Sequence, residues 1–285
     1  MSASARREAV RYANARGVSK RRAGALLNIG GSSLRYQARK ADTEIQMIAQ
    51  IRALSASNPR FGYRFIAALL RREGIRINNK RVYRLWRLAG LGRKRKPAYR
   101  RRYGGKHRWM SAIAPNGVWA YDFVFDTCAN GQKLKCLTVV DEYTRECLAI
   151  SVGARVRSCD VINVLERLTA LYGPPSNLRS DNGPEFIANA VQAWLRERGI
   201  ETAYIQPGKP WQNGVAESFN SKFRDECLDM EWFHNRREAT VLIEQWRHSY
   251  NHHRPHSAIG YRTPAQQRAM AIAKQQLTQL GKDAA

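Results

Sequence analysis

The chain has 285 residues, room for two domains, and carries 49 Lys+Arg against 23 Asp+Glu, a formal net charge of +26. Residues 1–110 hold 29 basic and 4 acidic side chains, whereas residues 111–285 hold 20 and 19, so a basic arm precedes a near-neutral domain. No apolar run approaches the ~18 residues of a membrane span, and the Arg-rich start has no apolar signal core, which makes a membrane reading weak and leaves nucleic acid as the expected partner, held with steep salt dependence.

Residues 1–42 read as a helix-turn-helix-like segment, with a simple helical hairpin as the other reading. Ser19 is placed to cap a helix whose stripe is Ala23, Leu26 and Leu27; Asn28-Ile29-Gly30 turns the chain, and a second helix begins near Ser32. Residues 43–92 form a clearer helix-turn-helix domain. Ile45, Ile48, Ile51 and Leu54 share a helix broken at Asn58-Pro59. Phe65, Ile66, Leu69 and Leu70 mark the next, closed by Gly74. Asn78 caps a third, which buries Val82, Leu85, Trp86 and Ala89 and presents Lys80, Arg81, Arg84 and Arg87. That face suits a recognition helix in a major groove, the bland reading being a solvated basic surface. Residues 93–111 follow as a basic linker, with nine Lys/Arg and no acid between Arg93 and Arg108. No Cys or His precedes His107, so a zinc-bound N-terminal domain is excluded on ligand grounds.

The second half reads as mixed α/β. Strands are expected near 118–125, 134–141, 146–152, 177–181 and 201–206. Helices are expected over about 159–172, from Pro184 to Gly199, and over about 213–229. In the last, Ala216, Phe219, Phe223, Cys227 and Met230 form the buried stripe, with Glu217, Asn220, Ser221 and Arg224 on the adjacent face. Asp141 and Arg145 are expected to pair. The five cysteines contain no CxxC and read as reduced thiols. His248 and His252, spaced i, i+4, lie near His253 and His256, but without a nearby Cys they read as packing or contact residues rather than zinc ligands.

Three acids stand out. Asp122 lies inside the apolar run Val118–Phe125, Asp181 ends a strand and enters Asn182-Gly183, and Glu217 sits early in a helix, with 35 residues between it and Asp181. Hard carboxylate oxygens suit Mg²⁺, and paired divalent ions about 3.5–4 Å apart supply what phosphodiester cleavage needs. Taken singly each acid has a plain reading: a surface strand residue, a turn cap, a first-turn helix acid favoured by the dipole. Asp126, on the same strand face as Asp122, is a weaker candidate.

Five stretches carry a resemblance: Trp119–Phe123, Leu137–Arg145, Ser180–Phe186, Gly208–Asn220 and Tyr250–Pro264. Together they resemble the catalytic subunit of insertion-sequence transposases of the second-reading-frame (OrfB, insertion-sequence-three-like) type, which share the retroviral integrase core. The resemblance implies a ribonuclease H-like core with a five-stranded mixed sheet, here residues 112–270 with a helical extension and a 271–285 tail. It implies Asp122, Asp181 and Glu217 as catalytic metal ligands for two Mg²⁺ ions, with Mn²⁺ as a substitute. Cleavage at element ends and strand transfer into target DNA are the implied reactions. Arg224 is expected at the DNA backbone, with Lys222, Lys209, Gln212 and Asn213 as further contacts; Asn213 has a plain N-cap reading as well. A multimer on paired inverted-repeat ends, an upstream reading-frame product as partner and a cytoplasmic, nucleoid-associated location complete the expectation. Two other readings compete: a structure-selective or RNA–DNA hybrid nuclease on the same fold, and a DNA-binding regulator without activity.

Overall fold

The computed structural model describes residues 1–35, 41–92, 112–181, 183, 185–204 and 213–283. The expected linker 93–111 and the candidates Lys209 and Gln212 lie outside these. By contacts the chain forms two compact units, Met1–Ser57 with Lys80–Gly92, and Asn58–Asn79 with the described residues from 112 onward. Three helices open the first unit: α1 (Ala3–Ala15), α2 (Lys20–Leu26) and α3 (Gly31–Arg35). The helix α1 had no counterpart in the sequence reading; the Ser2 hydroxyl caps it by accepting from Ala5 N–H at 3.2 Å. Ser19 caps α2 as expected, at 3.3 Å from Arg22 N. Ala23 is buried but Leu26 is 76% exposed, because α2 is only seven residues long and ends there.

The helix α4 (Ala41–Ser57) stops before Asn58-Pro59, and of its expected stripe Ile51 is buried while Ile45 is exposed. The helix α5 (Tyr63–Arg72) belongs to the second unit, and α6 (Asn79–Leu88) returns to the first. Val82, Leu85 and Trp86 are buried on α6, as the spacing predicts.

In the second unit the sheet order is β3-β2-β1-β4-β5, formed by β1 (Val118–Thr127), β2 (Lys133–Asp141), β3 (Cys147–Gly153), β4 (Asn177–Ser180) and β5 (Glu201–Tyr204). The first three strands are antiparallel neighbours, while β1–β4 and β4–β5 are parallel. Alternation along β1 divides its side chains between two layers. Trp119, Tyr121 and Phe123 face a core shared with α7 (Ser158–Tyr172) and α8 (Asn189–Glu197). Val124 faces the other core, with α9 (Gly214–Phe223) and α10 (Arg236–His252). A final helix, α11 (Pro264–Asp283), runs on past residue 271, where the tail was expected to begin.

Three local expectations are corrected. The helix expected from Pro184 starts at Asn189. Phe186, fully buried, stacks on Phe123 at 4.7 Å and meets Tyr121 edge-on at 4.2 Å, and it lies with Glu185 in a turn ahead of α8. Met230 is exposed, not part of the α9 stripe, because Arg224–Leu228 form a π-helical turn that rotates the following residues and buries Leu228 instead. Asp141 does not pair with Arg145. Its carboxylate accepts the N–H groups of Asn116, Tyr143 and Thr144 at 2.8–2.9 Å and faces Arg268 at 3.3 Å. Arg145 sits at φ +64 in the tight turn that those bonds close.

The helix α5 is tied to the segment after α10. Arg72 donates to the carbonyls of His253 at 2.7 Å and Tyr261 at 2.9 Å. Arg254, almost fully buried, lies over the rings of Phe65, Phe61 and Tyr250 and makes a two-pronged pair with Glu226 at 2.6 and 2.5 Å. Removing one partner of a buried pair strands the other charge, which costs about 3–5 kcal/mol. Glu226→Ala is therefore expected to lower unfolding stability on that scale, measured by urea titration, with Glu226→Gln intermediate.

Candidate active site

The first parallel pair creates the site. From β1 the chain turns to one side, into β2, and from β4 it crosses to the other, into β5; ligands gather at the carboxyl ends of strands where the direction of winding reverses. The β1–β4 register pairs Val118 with Asn177 and Ala120 with Arg179. Continued by two residues, that register sets Asp181 beside Asp122. Asp122 and Val124 share the sheet face that α9 covers, and the aromatic residues on either side of Asp122 point to the opposite face.

The Asp122 carboxylate accepts Phe123 N–H at 2.8 Å through one oxygen and the Asn220 amide at 2.8 Å through the other. Thr138, buried and directly across from Asp122 on β2, has its hydroxyl 3.1 Å from the Asp122 carbonyl and 3.2 Å from Asn220 Oδ1. Asn220 thus fastens α9 to two strands. Sequence reading placed Asn220 on the face of Glu217 without a role; the signal was its position one turn after the acid. Burial raises the Asp122 carboxyl to about 6, and the charges of Asp181 and Glu217 add to the rise, against the pull of the Phe123 and Asn220 bonds.

Asp181 is exposed, and one of its oxygens accepts Gly183 N–H at 3.0 Å. A Cβ at Gly183 would stand 3.0 Å from that oxygen and 3.3 Å from the Phe186 ring, so a side chain there would crowd both. Glu217 is exposed in the first turn of α9, its direction set by the burial of Ala216 and Phe219 beside it. Among the described residues no three His, Cys, Asp or Glu side chains converge into a ready metal-binding group. What the site offers a cation is hard carboxylate oxygens and mutual repulsion, centred on a half-buried acid.

Arg224 is exposed at the π-helical turn and donates to the Phe125 carbonyl at 2.7 Å, away from Asp225 and Glu226, which face Arg60 and Arg254. Lys222 is half-buried. Asn213 occupies the position before α9 but makes no cap; its buried Oδ1 finds no partner among the described residues. On α6, Lys80, Arg84 and Arg87 are exposed and Arg81 half-buried; Arg84 pairs with Glu44 at 2.5 Å and Arg87 reaches Tyr83 Oη at 3.4 Å. His248 and His252 stack on each other, while burial drives the His256 imidazole down to about 3, so it stays neutral. All five cysteines are free. Among the described residues no helix is long and apolar enough to cross a membrane.

Residues 112–210 and 198–264 match integrase core domain families, and residues 41–103 match an HTH-like domain. The insertion element IS407 uncharacterized 31.7 kDa protein of Burkholderia multivorans is 42% identical, over 87% of this chain and 90% of that relative. Transposase InsD for insertion element IS2 of Escherichia coli is 32% identical, over 78% and 77%. The HTLV-2 integrase catalytic core domain in complex with magnesium aligns with 55% of this chain and 99% of its own, at 18% identity and a TM-score of 0.43. With its helix-turn-helix-like region, its five-stranded mixed sheet and this identity along most of its length, the chain belongs to the insertion-element transposases with an integrase-type core.

Proposed function

We propose that this chain is a DNA transposase that cuts at the ends of its element and joins them to target DNA. The observation that carries the reading is the pairing of β1 with β4, which sets Asp181 beside Asp122 on the sheet face under the helix of Glu217. Residues 43–92 form the DNA-binding domain and 112–270 the catalytic core. The partners are element ends and target DNA, held by a multimer, with the upstream reading-frame product as a further partner.

Asp122, Asp181 and Glu217 would hold divalent cations, two Mg²⁺ or Mn²⁺. Bound there, such cations would lower the pKa of the attacking oxygen and neutralise charge at phosphorus. The fit rests on three hard oxygen donors and on the raised Asp122, whose repulsion from its neighbours a cation relieves. Asn220 and Thr138 hold Asp122 in orientation, and Gly183 N–H holds one Asp181 oxygen. In the first step water adds to a phosphodiester at the element end, the P–O3′ bond breaks, and the leaving 3′ oxygen takes a proton. In the second step that 3′-hydroxyl attacks a target phosphodiester in line and displaces another 3′ oxygen. One P–O bond forms as one breaks, so joining needs no energy cofactor. Lys209, Gln212 and Asn213 before the helix of Glu217, Lys222 on it and Arg224 directly after it would meet the DNA; Lys80, Arg81, Arg84 and Arg87 would contact a duplex from α6. The exposed Arg84–Glu44 pair is worth about 0–1 kcal/mol and yields easily to phosphate.

Cleavage and joining of a labelled duplex carrying the element's terminal repeats test the reading. Both products should require Mg²⁺ or Mn²⁺, and Glu217→Gln should reduce both by ~100-fold or more, the scale of losing one well-placed electrostatic group. Cleavage without joining would indicate a nuclease, and binding without chemistry in either protein a regulator.

Asp122 gives a second test. An acid raised from 3.8 to about 6 destabilises the folded chain wherever it is ionised. Without metal, this group's penalty should shrink as pH falls from about 7 toward about 4. Asp122→Asn should raise neutral-pH stability by on the order of 1 kcal/mol and abolish stabilisation by Mn²⁺. Thermal melts with and without the cation measure both; an unstabilised variant that still responds to Mn²⁺ would refute the assignment.

A further inference from the structure

The first 35 residues lie outside the HTH-like match, which begins at residue 41. They nevertheless form three mutually packed helices, α1, α2 and α3. Their centre is Val10, Ala23 and Gly24, all buried. The connection between α2 and α3 is a tight turn. Leu27 caps α2, Asn28 adopts φ +46, Ile29 N–H returns to the Gly24 carbonyl at 2.9 Å, and α3 begins at Gly31. Arg6 of α1 donates to the Asn28 carbonyl at 3.1 Å and pins that turn. The two helices approach closely at Gly24, where an added Cβ would stand 3.0 Å from Leu34 Cδ1 and 3.3 Å from the Ile29 carbonyl. A helix, a short turn of about four residues and a second helix crossing at a small residue describe a helix-turn-helix.

The surface chemistry agrees. Residues 1–35 contain eight Lys/Arg, and Glu8 is their one acid. Lys20, Arg21 and Arg22 are exposed on the first turn of α2, and Ser32, Ser33 and Arg35 on α3. Short hydroxyl side chains and an arginine on the second helix can reach base edges, while cations on the first helix meet phosphates beside the groove. A simple helical hairpin, the alternative left by sequence, needs neither the third helix nor the close crossing at Gly24.

We propose that residues 1–35 are a second duplex-DNA-binding helix-turn-helix, with α3 in the major groove and Lys20, Arg21 and Arg22 on the flanking backbone. The chain would thus contact one DNA end through two modules, this one and residues 43–92, covering more sequence than either alone. The assignment does not rest on the catalytic acids.

The test uses the full chain and two labelled duplexes, one carrying the terminal repeats that flank this reading frame and one of unrelated sequence. The double variant Arg22→Ala with Arg35→Ala should bind the repeat duplex at least tenfold more weakly. Its salt dependence should fall by one to two phosphate contacts, and nuclease protection should be lost over one part of the site while the rest persists. Gly24→Val keeps every charge but separates α2 from α3, and should lose the same stretch. Unchanged footprint and salt slope in the arginine variant would overturn the proposal. So would equal losses on both duplexes with a normal footprint for Gly24→Val, since that outcome means general attraction to a polyanion.

Discussion

The parallel pairing of β1 with β4 is the constraint on which the rest depends. It lasts three residues, Val118 to Ala120, and then β1 continues alone with β2. Where the pairing stops, two acids from distant parts of the chain stand side by side. Such an arrangement is unfavourable by itself: burial raises the Asp122 carboxyl to about 6, and the charges of Asp181 and Glu217 add to that rise. The fold tolerates it because the surrounding apolar layers hold both strands: Trp119 and Tyr121 on one face, Val124 with Phe219 and Phe223 on the other. A carboxylate pair held in this way is one whose repulsion a bound cation would relieve.

The helix of Glu217 is held by two different kinds of interaction. Its buried stripe, Ala216, Phe219 and Phe223, packs against β1, β2 and the aromatic rings of α10. The polar link from Asn220 to Asp122 and Thr138 then fixes its rotation, since an apolar stripe alone allows some slip along the sheet. Beyond Phe223 the π-helical turn lets Glu226 reach Arg254 while Arg224 reaches the Phe125 carbonyl. Through Arg254 and Arg72 the same region grips α5, a helix that by sequence position belongs to the DNA-binding segment. The helix α5, read with the DNA-binding segment, is thereby packed within the second unit.

Much of this was legible beforehand because its cause is local. The five strands lie where their apolar runs place them, though their order in the sheet is not encoded there; Ser19 announces a helix start, and α6 shows its Val82, Leu85 and Trp86 stripe at helical spacing. Where expectation failed, a distant partner decided. Pro184 is a fair helix start in isolation, but Phe186 gains more by wedging between Tyr121 and Phe123. Asp141 has a plausible partner four residues away in Arg145, yet it is taken by three backbone N–H groups and by Arg268 from the far end of the chain. Met230 fits a regular helical stripe that one wide turn breaks.

The sequence by itself determined which chemistry was at stake: two acids at strand positions, one on a helix, a basic arm, and no zinc ligands before His107. Residue type, spacing and charge are properties of the linear chain, so they can be read from it. Only the tertiary structure decided that Asp122 faces α9 and away from its aromatic neighbours, that Asn220 and Thr138 hold it, and that α5 joins the core. Those outcomes are settled by competition among side chains far apart in the chain for the same buried space and the same hydrogen bonds, and no local pattern encodes the winner.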